Sequence, residues 1–406
     1  MLIQMKQILI AFTILVNANL VFSQTTFDPQ QHRVVTTDRP DGRFVSTYGV
    51  VHNMLKNTTP ECAFNPDFSR EQFASWRERV RTAMETIMCH PKAQNMPKPK
   101  RVLVEQKDGY RLETWEAYPL EGCVTGFKVM VPDGKKGAIP AVLCIPGSGM
   151  AKEHLTGEIE VKNPHAAMAL NIVRHGYIAV AVDNACSGEA SDLERLAGVG
   201  YDYDTPSRIL LELGWSWLGY TSYLNKQVLE WMKEQPSIRR DRIVVSGFSL
   251  GTEPLMVLGV MDKSIYAFVY NDFLCQTQER AVVMTAPDKR GRRPFPNSIR
   301  HLIPRFWNYF NFPDIVASLA PRPIIFTEGG LDRDLNLVRR AYEISGNPDG
   351  VEIHHYPKYA NPENRKDVKS LPEGLDRTEY FDAVNVDGPN HYFKDELVLP
   401  WLDKII

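Results

Sequence analysis

The stretch that decides the fold reads RIVVSGFSLGTE and spans residues 242–253. Its residues 243–245 are apolar and β-branched, which predicts a short buried strand. A G-x-S-x-G pattern follows directly, and the apolar residues from Pro254 onward predict a helix. A strand–turn–helix of this kind presents its serine as a nucleophile, and the flanking glycines leave room for the strand and helix. The pattern also arises by chance, but this context favours a catalytic Ser249.

A catalytic serine needs an acid and a histidine, which in this arrangement follow it along the chain in that order. Residues 323–327 predict another buried strand, and Asp332 follows it after a Gly-Gly turn. We therefore expect Asp332 to be the orienting acid. Asp334 and Glu328 are the alternatives on the same loop, and each of them could instead be an ordinary solvated charge.

The base is expected to be His391, which lies on a Gly-Pro-Asn loop before the C-terminal helix. A loop position lets an imidazole reach a serine without distorting a regular element. His391 would take the proton of Ser249, while Asp332 fixes the tautomer of the ring. His354 and His355 lie inside a predicted strand, and a structural role is expected for them.

The negative charge that develops during acyl transfer needs backbone N–H donors. The first donor should be Leu250, the residue after the nucleophile. The second should come from the Pro-Gly-Ser-Gly loop that follows the predicted strand at residues 141–145, with Ser148 preferred and Gly149 next. The same loop can also be interpreted as a plain turn, and the two interpretations are compatible because the donors are turn backbone.

Strand and helix signals elsewhere predict an α/β fold, with a mostly parallel central sheet and helices on both faces. A turn at residues 107–109 predicts a hairpin, and Ser69 resembles the start of a capped amphipathic helix in an N-terminal helical and hairpin extension. The strands then alternate with helices, which puts the site at the carboxyl ends of the parallel strands. The predicted strands are 126–131, 141–145, 177–182, 243–246, 267–270, 323–327 and 351–356, and the predicted helices are 164–175 and 209–231.

Length and composition describe one large enzyme domain with an extension. The 406 residues are 43% hydrophobic and 24% charged with a formal net charge of −2, so a nucleic-acid-binding protein is not expected. The predicted division is a signal peptide at 1–23, an extension at 24–100 and a catalytic domain at 101–406, with a lid-like insertion at about 273–318.

The first residues predict export to a periplasm or to the medium. Lys6 precedes an apolar run at residues 8–16, and small residues lead to an expected cleavage between Ser23 and Gln24. A run of about 10 apolar residues is too short to span a bilayer, so no membrane span is expected in the mature chain.

The six cysteines show no metal-type spacing, and neither a metal nor a cofactor is expected. Cys62 and Cys89 flank the N-terminal helix and are the one pair considered for a disulfide bridge.

One segment of the chain is strongly basic. Residues 275–305 hold seven positive and two negative side chains in a chain of net charge −2. A solvated surface loop would explain them, but so would a wall facing an anionic polysaccharide. Arg290, Arg292 and Arg293 are the expected contacts, together with Trp307, whose ring could stack on a sugar or anchor the lid.

These motifs resemble the α/β-hydrolase superfamily, within it the acetylxylan-esterase and dienelactone-hydrolase-like branch. They are similar to exported Bacteroidetes esterase-like proteins encoded beside polysaccharide-uptake systems. The resemblance covers residues 69–406 and implies an acyl-enzyme mechanism that removes acetyl or methyl esters from plant polysaccharide, as acetylxylan esterases or pectin methylesterases do. One departure is Gly251-Thr252, where many relatives have Gly-Gly.

Other functions on the same fold stay open. A peptidase or a small-molecule ester or lactone hydrolase is the alternative, since fold and triad do not fix the leaving group. A catalytically inactive carbohydrate-binding relative is disfavoured because a serine, an acid and a histidine are all present.

Overall fold

The computed structural model describes residue 37 and residues 39–92, 95–191, 202–287 and 298–406. The predicted signal peptide and its cleavage site lie outside these residues. The described chain forms a nine-stranded sheet in the order β1-β2-β3-β5-β4-β6-β7-β8-β9. The strands are β1 Lys100–Lys107, β2 Tyr110–Ala117, β3 Thr125–Pro132, β4 Ile139–Ile145, β5 Ile178–Val182, β6 Ile238–Phe248, β7 Ala267–Asn271, β8 Ile324–Phe326 and β9 Val351–Ile353.

The sheet is antiparallel at one edge and parallel over the rest. β1, β2 and β3 form a meander, and β3 pairs antiparallel with β5. The strands from β5 through β4 to β9 are parallel neighbours, so their carboxyl ends meet at one edge. The predicted hairpin is confirmed, with Gly109 at the turn in the left-handed region at φ +82°. The predicted mostly parallel α/β sheet is also confirmed.

Helices follow most of the parallel strands. They are α1 Thr47–Asn57, α2 Arg70–Met88, α3 Lys152–Thr156, α4 Met168–His175, α5 Asp204–Glu212, α6 Trp217–Glu234, α7 Thr252–Met261, α8 Thr277–Thr285, α9 Phe306–Tyr309, α10 Phe312–Ala317, α11 Asp332–Ser345, α12 Arg377–Ala383 and α13 Asp395–Ile405. The single helix expected at 209–231 is two helices. Gly214, at φ +78°, ends the first of them and redirects the chain.

The central strands of the sheet are buried on both faces. Along β4, Leu143 joins the larger core on one face, whereas Val142 and Cys144 join the core on the other. Helices α2, α6 and α7 contribute to the first core, and α4 and α13 to the second. Alternate residues of a strand point to opposite faces, so a strand covered on both sides is apolar throughout.

Helix α2 is part of the main core. Ser69 caps α2 in a full capping box with Gln72, as the sequence predicts. The apolar stripe that includes Trp76 and Val80 is completely buried and packs in the same cluster as the sheet. The stripe is therefore a packing surface.

A third, smaller core lies beyond the carboxyl ends of the strands. Val283 and Met284 of α8 pack there against Tyr380 of α12 and against Tyr356. Part of the expected lid, including α8, α9 and α10, therefore lies among the described residues, and the chain before His391 packs on it.

All six cysteines lie in the described part of the chain and carry free thiols. The bridge considered between Cys62 and Cys89 is not formed, since Cys62 is buried and Cys89 is exposed at the end of α2. Among the described helices, none has the length and apolar character needed to cross a membrane.

Candidate active site

Ser249 lies at the tip of a strained turn between β6 and α7. Its φ is +51°, in the left-handed region that residues other than glycine rarely adopt. A Cβ on Gly247 would lie 2.4 Å from the carbonyl oxygen of Gly251, and one on Gly251 would lie 2.4 Å from that of Ile145. Both glycines are therefore required by the close approach of backbone, which is the geometry that the G-x-S-x-G pattern predicted.

Thr252 takes part in the same turn. Its buried hydroxyl donates a hydrogen bond of 2.8 Å to the carbonyl oxygen of Ser249. The threonine at this position thus adds a contact that holds the turn.

His391 approaches the site from the loop after a short turn at Gly388–Asn390. Its ring stacks on Phe248, the residue before the serine, with ring centroids 4.8 Å apart. Asn271 at the end of β7 fixes this loop, because its side chain accepts from the backbone N–H of Lys394 at 2.8 Å and donates to the carbonyl of Tyr392 at 3.1 Å.

The carboxylate against His391 belongs to Glu328. Its Oε2 lies 2.6 Å from Nδ1 of the ring. An ionised carboxylate only accepts hydrogen bonds, so Nδ1 carries a proton and Nε2 is left as the basic nitrogen. Glu328 is fully buried and also accepts from the Tyr356 hydroxyl at 2.7 Å and from Lys394 Nζ at 3.0 Å.

The pairing of Asp332 with His391 that the sequence predicted is wrong. Both Asp332 oxygens accept from Arg365, at 3.0 and 3.1 Å, and one faces His355 at 3.5 Å. The reason is the backbone. Gly329 and Gly330 have φ values of +63° and +133° and turn the chain away, so Asp332 already starts helix α11.

The other alternative, Asp334, is also engaged elsewhere. It is buried and accepts from Gln276 at 2.7 Å. Of the three carboxylates considered, only Glu328 precedes the glycine turn. That position, the first acid after the strand, is the signal that would have ranked it first.

Electrostatics couple Glu328 and His391. Burial tends to raise the pKa of Glu328, but the hydrogen bond and charge of His391, with the Lys394 charge, lower it overall. Burial tends to lower the pKa of His391, and the hydrogen bond and charge of Glu328 outweigh this, so the pKa is raised. The pair therefore favours an imidazolium supported by a carboxylate.

Asp272 is a second acid beside this pair, and sequence reasoning missed it. Asp272 follows β7, the strand next to β8. One polar atom from each of Asp272, Glu328 and His391 lies within 4.8 Å of the other two. Burial raises the pKa of Asp272 to about 7, the charge of His391 opposes the shift and that of Glu328 adds to it. Its position directly after a parallel strand is the same signal that indicates Glu328.

The residues expected to donate to the oxyanion lie at the same cavity. Ser148 and Leu250 line it together with Ser249. The N–H of Gly149 donates to the Tyr203 hydroxyl at 3.0 Å, which leaves Ser148 as the better choice on this loop.

This cavity has a volume of about 700 Å³ and also contains His391, Asp272 and Phe381 on its wall. Trp307, the expected sugar contact, lines a smaller neighbouring cavity of about 170 Å³, and Arg280 and His301 line both cavities. Its indole N–H donates to Thr277 at 3.0 Å, in keeping with an anchoring role. Arg290, Arg292 and Arg293 lie outside the described residues.

Two groups of described side chains have ligand atoms close enough to share a metal ion. One is Asp272 with Glu328 and His391, of which Glu328 and His391 already bond to each other. The other is His165 with Asp395 and Glu396, where His165 contacts Asp395 directly.

A serine on a strained strand–helix turn, at the carboxyl ends of a mostly parallel sheet, with a histidine and a buried acid beside it, defines an α/β-hydrolase. The chain belongs to the Abhydrolase family, whose model matches residues 26–404. The fold and the resemblance expected from the sequence are thereby confirmed.

Solved structures extend the likeness. A protein of Bacteroides fragilis described as a "putative acetyl xylan esterase" is 64% identical, with a TM-score of 0.89 over 93% of this chain and 99% of that chain. A methylesterase is 17% identical, with a TM-score of 0.50 over 73% of this chain and 61% of that chain, which shows the fold alone. No curated protein sequence matches this chain significantly. The expectation of an esterase on the α/β-hydrolase fold is supported by these findings.

Proposed function

We propose that this protein is a serine carboxylic-ester hydrolase that removes ester groups from plant polysaccharide. The observation that carries the proposal is the strained turn that puts Ser249 at a cavity it shares with His391, whose ring is held by the buried Glu328. Strain of this kind is retained at functional sites.

In the first step, Ser249 attacks the ester carbonyl carbon while Nε2 of His391 takes the serine proton. Glu328 keeps the other ring proton on Nδ1 and stabilises the imidazolium. The tetrahedral oxyanion is bound by the backbone N–H groups of Leu250 and Ser148.

The tetrahedral intermediate then collapses. The C–O bond to the alcohol breaks, the alcohol takes the proton from His391, and an ester between the acyl group and Ser249 remains. Water then attacks the carbonyl carbon of this ester while His391 takes a proton from the water. The bond between the acyl carbon and Oγ of Ser249 breaks, His391 returns the proton to Oγ, and the acid leaves. Each proton passes through one imidazole nitrogen, so no further group is needed for the proton balance.

The ester groups that the enzyme removes are proposed to be acetyl groups on sugar hydroxyls. Methyl esters of sugar acids are the alternative. Support comes from the 64% identical relative, which is described as a "putative acetyl xylan esterase". A cavity of about 700 Å³ has room for a sugar unit with its ester group.

Product analysis tests this proposal. The protein is incubated with acetylated xylan and with methylated pectin, and acetate and methanol are measured. Acetate release that is lost in Ser249→Ala is the expected result. Methanol alone would shift the substrate to methyl esters, and release of neither product, or equal release by Ser249→Ala, would overturn the proposal.

We also propose that the protein is exported. The apolar run at residues 8–16 and the small residues before Gln24 support cleavage after Ser23. Sequencing the N-terminus of the protein recovered from its native cells should begin at Gln24, and an intact Met1 would contradict export by cleavage.

A further inference from the structure

Three arginines reach the cavity that contains Ser249, and they come from three different elements. Arg280 belongs to α8, Arg300 to a short turn at Ile299–His301, and Arg377 is the first residue of α12. Arginines from separate elements thus meet at one catalytic cavity, where a substrate can contact them.

Arg300 is held beside the expected oxyanion loop. Its Nη2 donates to Ser148 Oγ at 3.0 Å, its Nε donates to His301 Nε2 at 3.1 Å, and its guanidinium carbon lies 4.2 Å from the Tyr203 ring centre. All these contacts are neutral. Within the ranges that the structure describes, no carboxylate forms an ion pair with Arg300.

The other two arginines share an aromatic support on α12. The guanidinium carbon of Arg377 lies 5.2 Å from the centre of the Phe381 ring, and that of Arg280 lies 5.9 Å from the same centre. Arg280 also lies 5.4 Å from the Tyr380 ring. Arg377 is exposed, and it too has no ion-pair partner among the described residues.

The acidic groups of the cavity have partners of their own. Glu253 pairs with His301 at 2.9 Å. Asp272 lies with the Glu328 and His391 pair. Glu253 is joined to Arg300 through the His301 ring, which donates to the acid and accepts from the guanidinium. The described wall of the cavity has three arginines and two carboxyl groups, and a concave wall with an excess of positive charge attracts anions.

We propose that the ester substrate is an acidic oligosaccharide, whose free carboxylates are bound by Arg300 beside the oxyanion loop and by Arg377 on α12. This rests on the proposed esterase function and deepens it. The planar fork of arginine matches a carboxylate, and charge-assisted hydrogen bonds of this kind are about twice as strong as neutral ones. An ester on a chain without carboxylates would leave both guanidinium groups without an anionic partner, so it should still be hydrolysed but bind less tightly than an ester on an acidic chain.

Inhibition of aryl acetate hydrolysis tests this proposal without requiring the natural ester. The probes are an oligogalacturonate and a neutral oligogalactan of equal length, neither of which carries an ester. We expect the acidic oligomer to compete with the aryl ester at a concentration at least tenfold lower than the neutral one, as the strength of charged hydrogen bonds suggests.

The variants Arg300→Gln and Arg377→Gln should each reduce this tenfold preference for the acidic oligomer severalfold, and Arg300→Lys should keep part of it because the charge remains. Arg239→Gln is the matched control. Arg239 lies near the start of β6, whereas Ser249 follows its end, so its loss should leave the preference unchanged.

Equal inhibition by the two oligomers, or a preference that persists in both Gln variants, would overturn the proposal. The esterase function and the binding of acidic substrate are tested by different measurements. Loss of aryl acetate hydrolysis in Ser249→Ala reports on the esterase, whereas the ratio of the two inhibition constants reports on the arginines. An active esterase with no acid preference would therefore refute only the present inference.

Discussion

Replacing Glu328 by Gln should nearly abolish turnover, whereas replacing Asp332 by Asn should not. In the native site Oε2 of Glu328 accepts from His391 and Tyr356, and Oε1 accepts from Lys394. A glutamine has one oxygen and one NH2 group, so in either orientation a donor opposes a donor. With the NH2 toward the ring, Nδ1 must become the acceptor and the proton moves to Nε2, which can then no longer accept the proton of the serine.

The magnitude follows from the tautomer. The corresponding change in a serine protease triad lowers kcat by about 10⁴-fold. At about 1.36 kcal/mol for each factor of ten, the barrier rises by about 5 kcal/mol. Asp332 instead has a side chain that is 30% exposed and pairs with Arg365. Losing a partly exposed pair of this kind costs about 1 kcal/mol of folding free energy. The value of kcat should stay within about twofold of the native value because the pair does not touch the His391 ring.

The assay is kcat for an aryl acetate near neutral pH, measured with the melting temperature of each variant. Glu328→Asp is the matched control, because it keeps the negative charge and should retain more activity than the Gln variant. Melting temperatures separate lost catalysis from lost folding, which matters since Glu328→Gln leaves Lys394 buried without its counter-charge. The reasoning is refuted if Asp332→Asn is the more damaging change, or if a folded Glu328→Gln loses less than tenfold.

Three further outcomes follow from the same geometry. His391 must be neutral to act as a base, so kcat/KM falls as the pH drops through its raised pKa. Because Asp272→Asn removes a charge that raises this pKa, the acidic limb of the pH profile should move to lower pH. An unmoved limb would contradict the coupling between Asp272 and His391. Gly251→Ala puts a Cβ 2.4 Å from the Ile145 carbonyl oxygen. Overpacking of this kind costs about 1–3 kcal/mol, so the melting temperature should fall by several degrees. An unchanged melting temperature would contradict the close approach of backbone at this glycine. Excess chelator should leave hydrolysis intact, whereas activity that is lost and then restored by a divalent ion would show a metal in the reaction.

The fold was predictable because its signals are local. The β-branched run before Ser249 and the glycines around it identify the strand and the turn, and apolar strands alternating with helices predict a parallel sheet. The break in the helix at Gly214 was missed because an apolar pattern continues on both sides of that glycine. One helix ends and a second begins there without a change in composition.

The site was only partly predictable, because the choice between Glu328 and Asp332 depended on the direction in which the loop turns. Distance along the chain does not show this direction. Asp332 is four residues after Glu328, but the intervening glycines turn it away from the cavity. Asp272 was missed because its position beside His391 depends on β7 and β8 being neighbours in the sheet. The order of the strands is a tertiary property that one sequence does not display.

Covalent trapping of the nucleophile tests the central claim most directly. The protein is treated with an aryl fluorophosphonate, which reacts with activated serines, and the modified peptide is identified by mass spectrometry. The account predicts one adduct per chain, on Ser249, that appears together with loss of hydrolysis and is absent in Ser249→Ala and strongly slowed in Glu328→Gln. An adduct on another residue, or full hydrolysis by a protein that is labelled at Ser249, would contradict it.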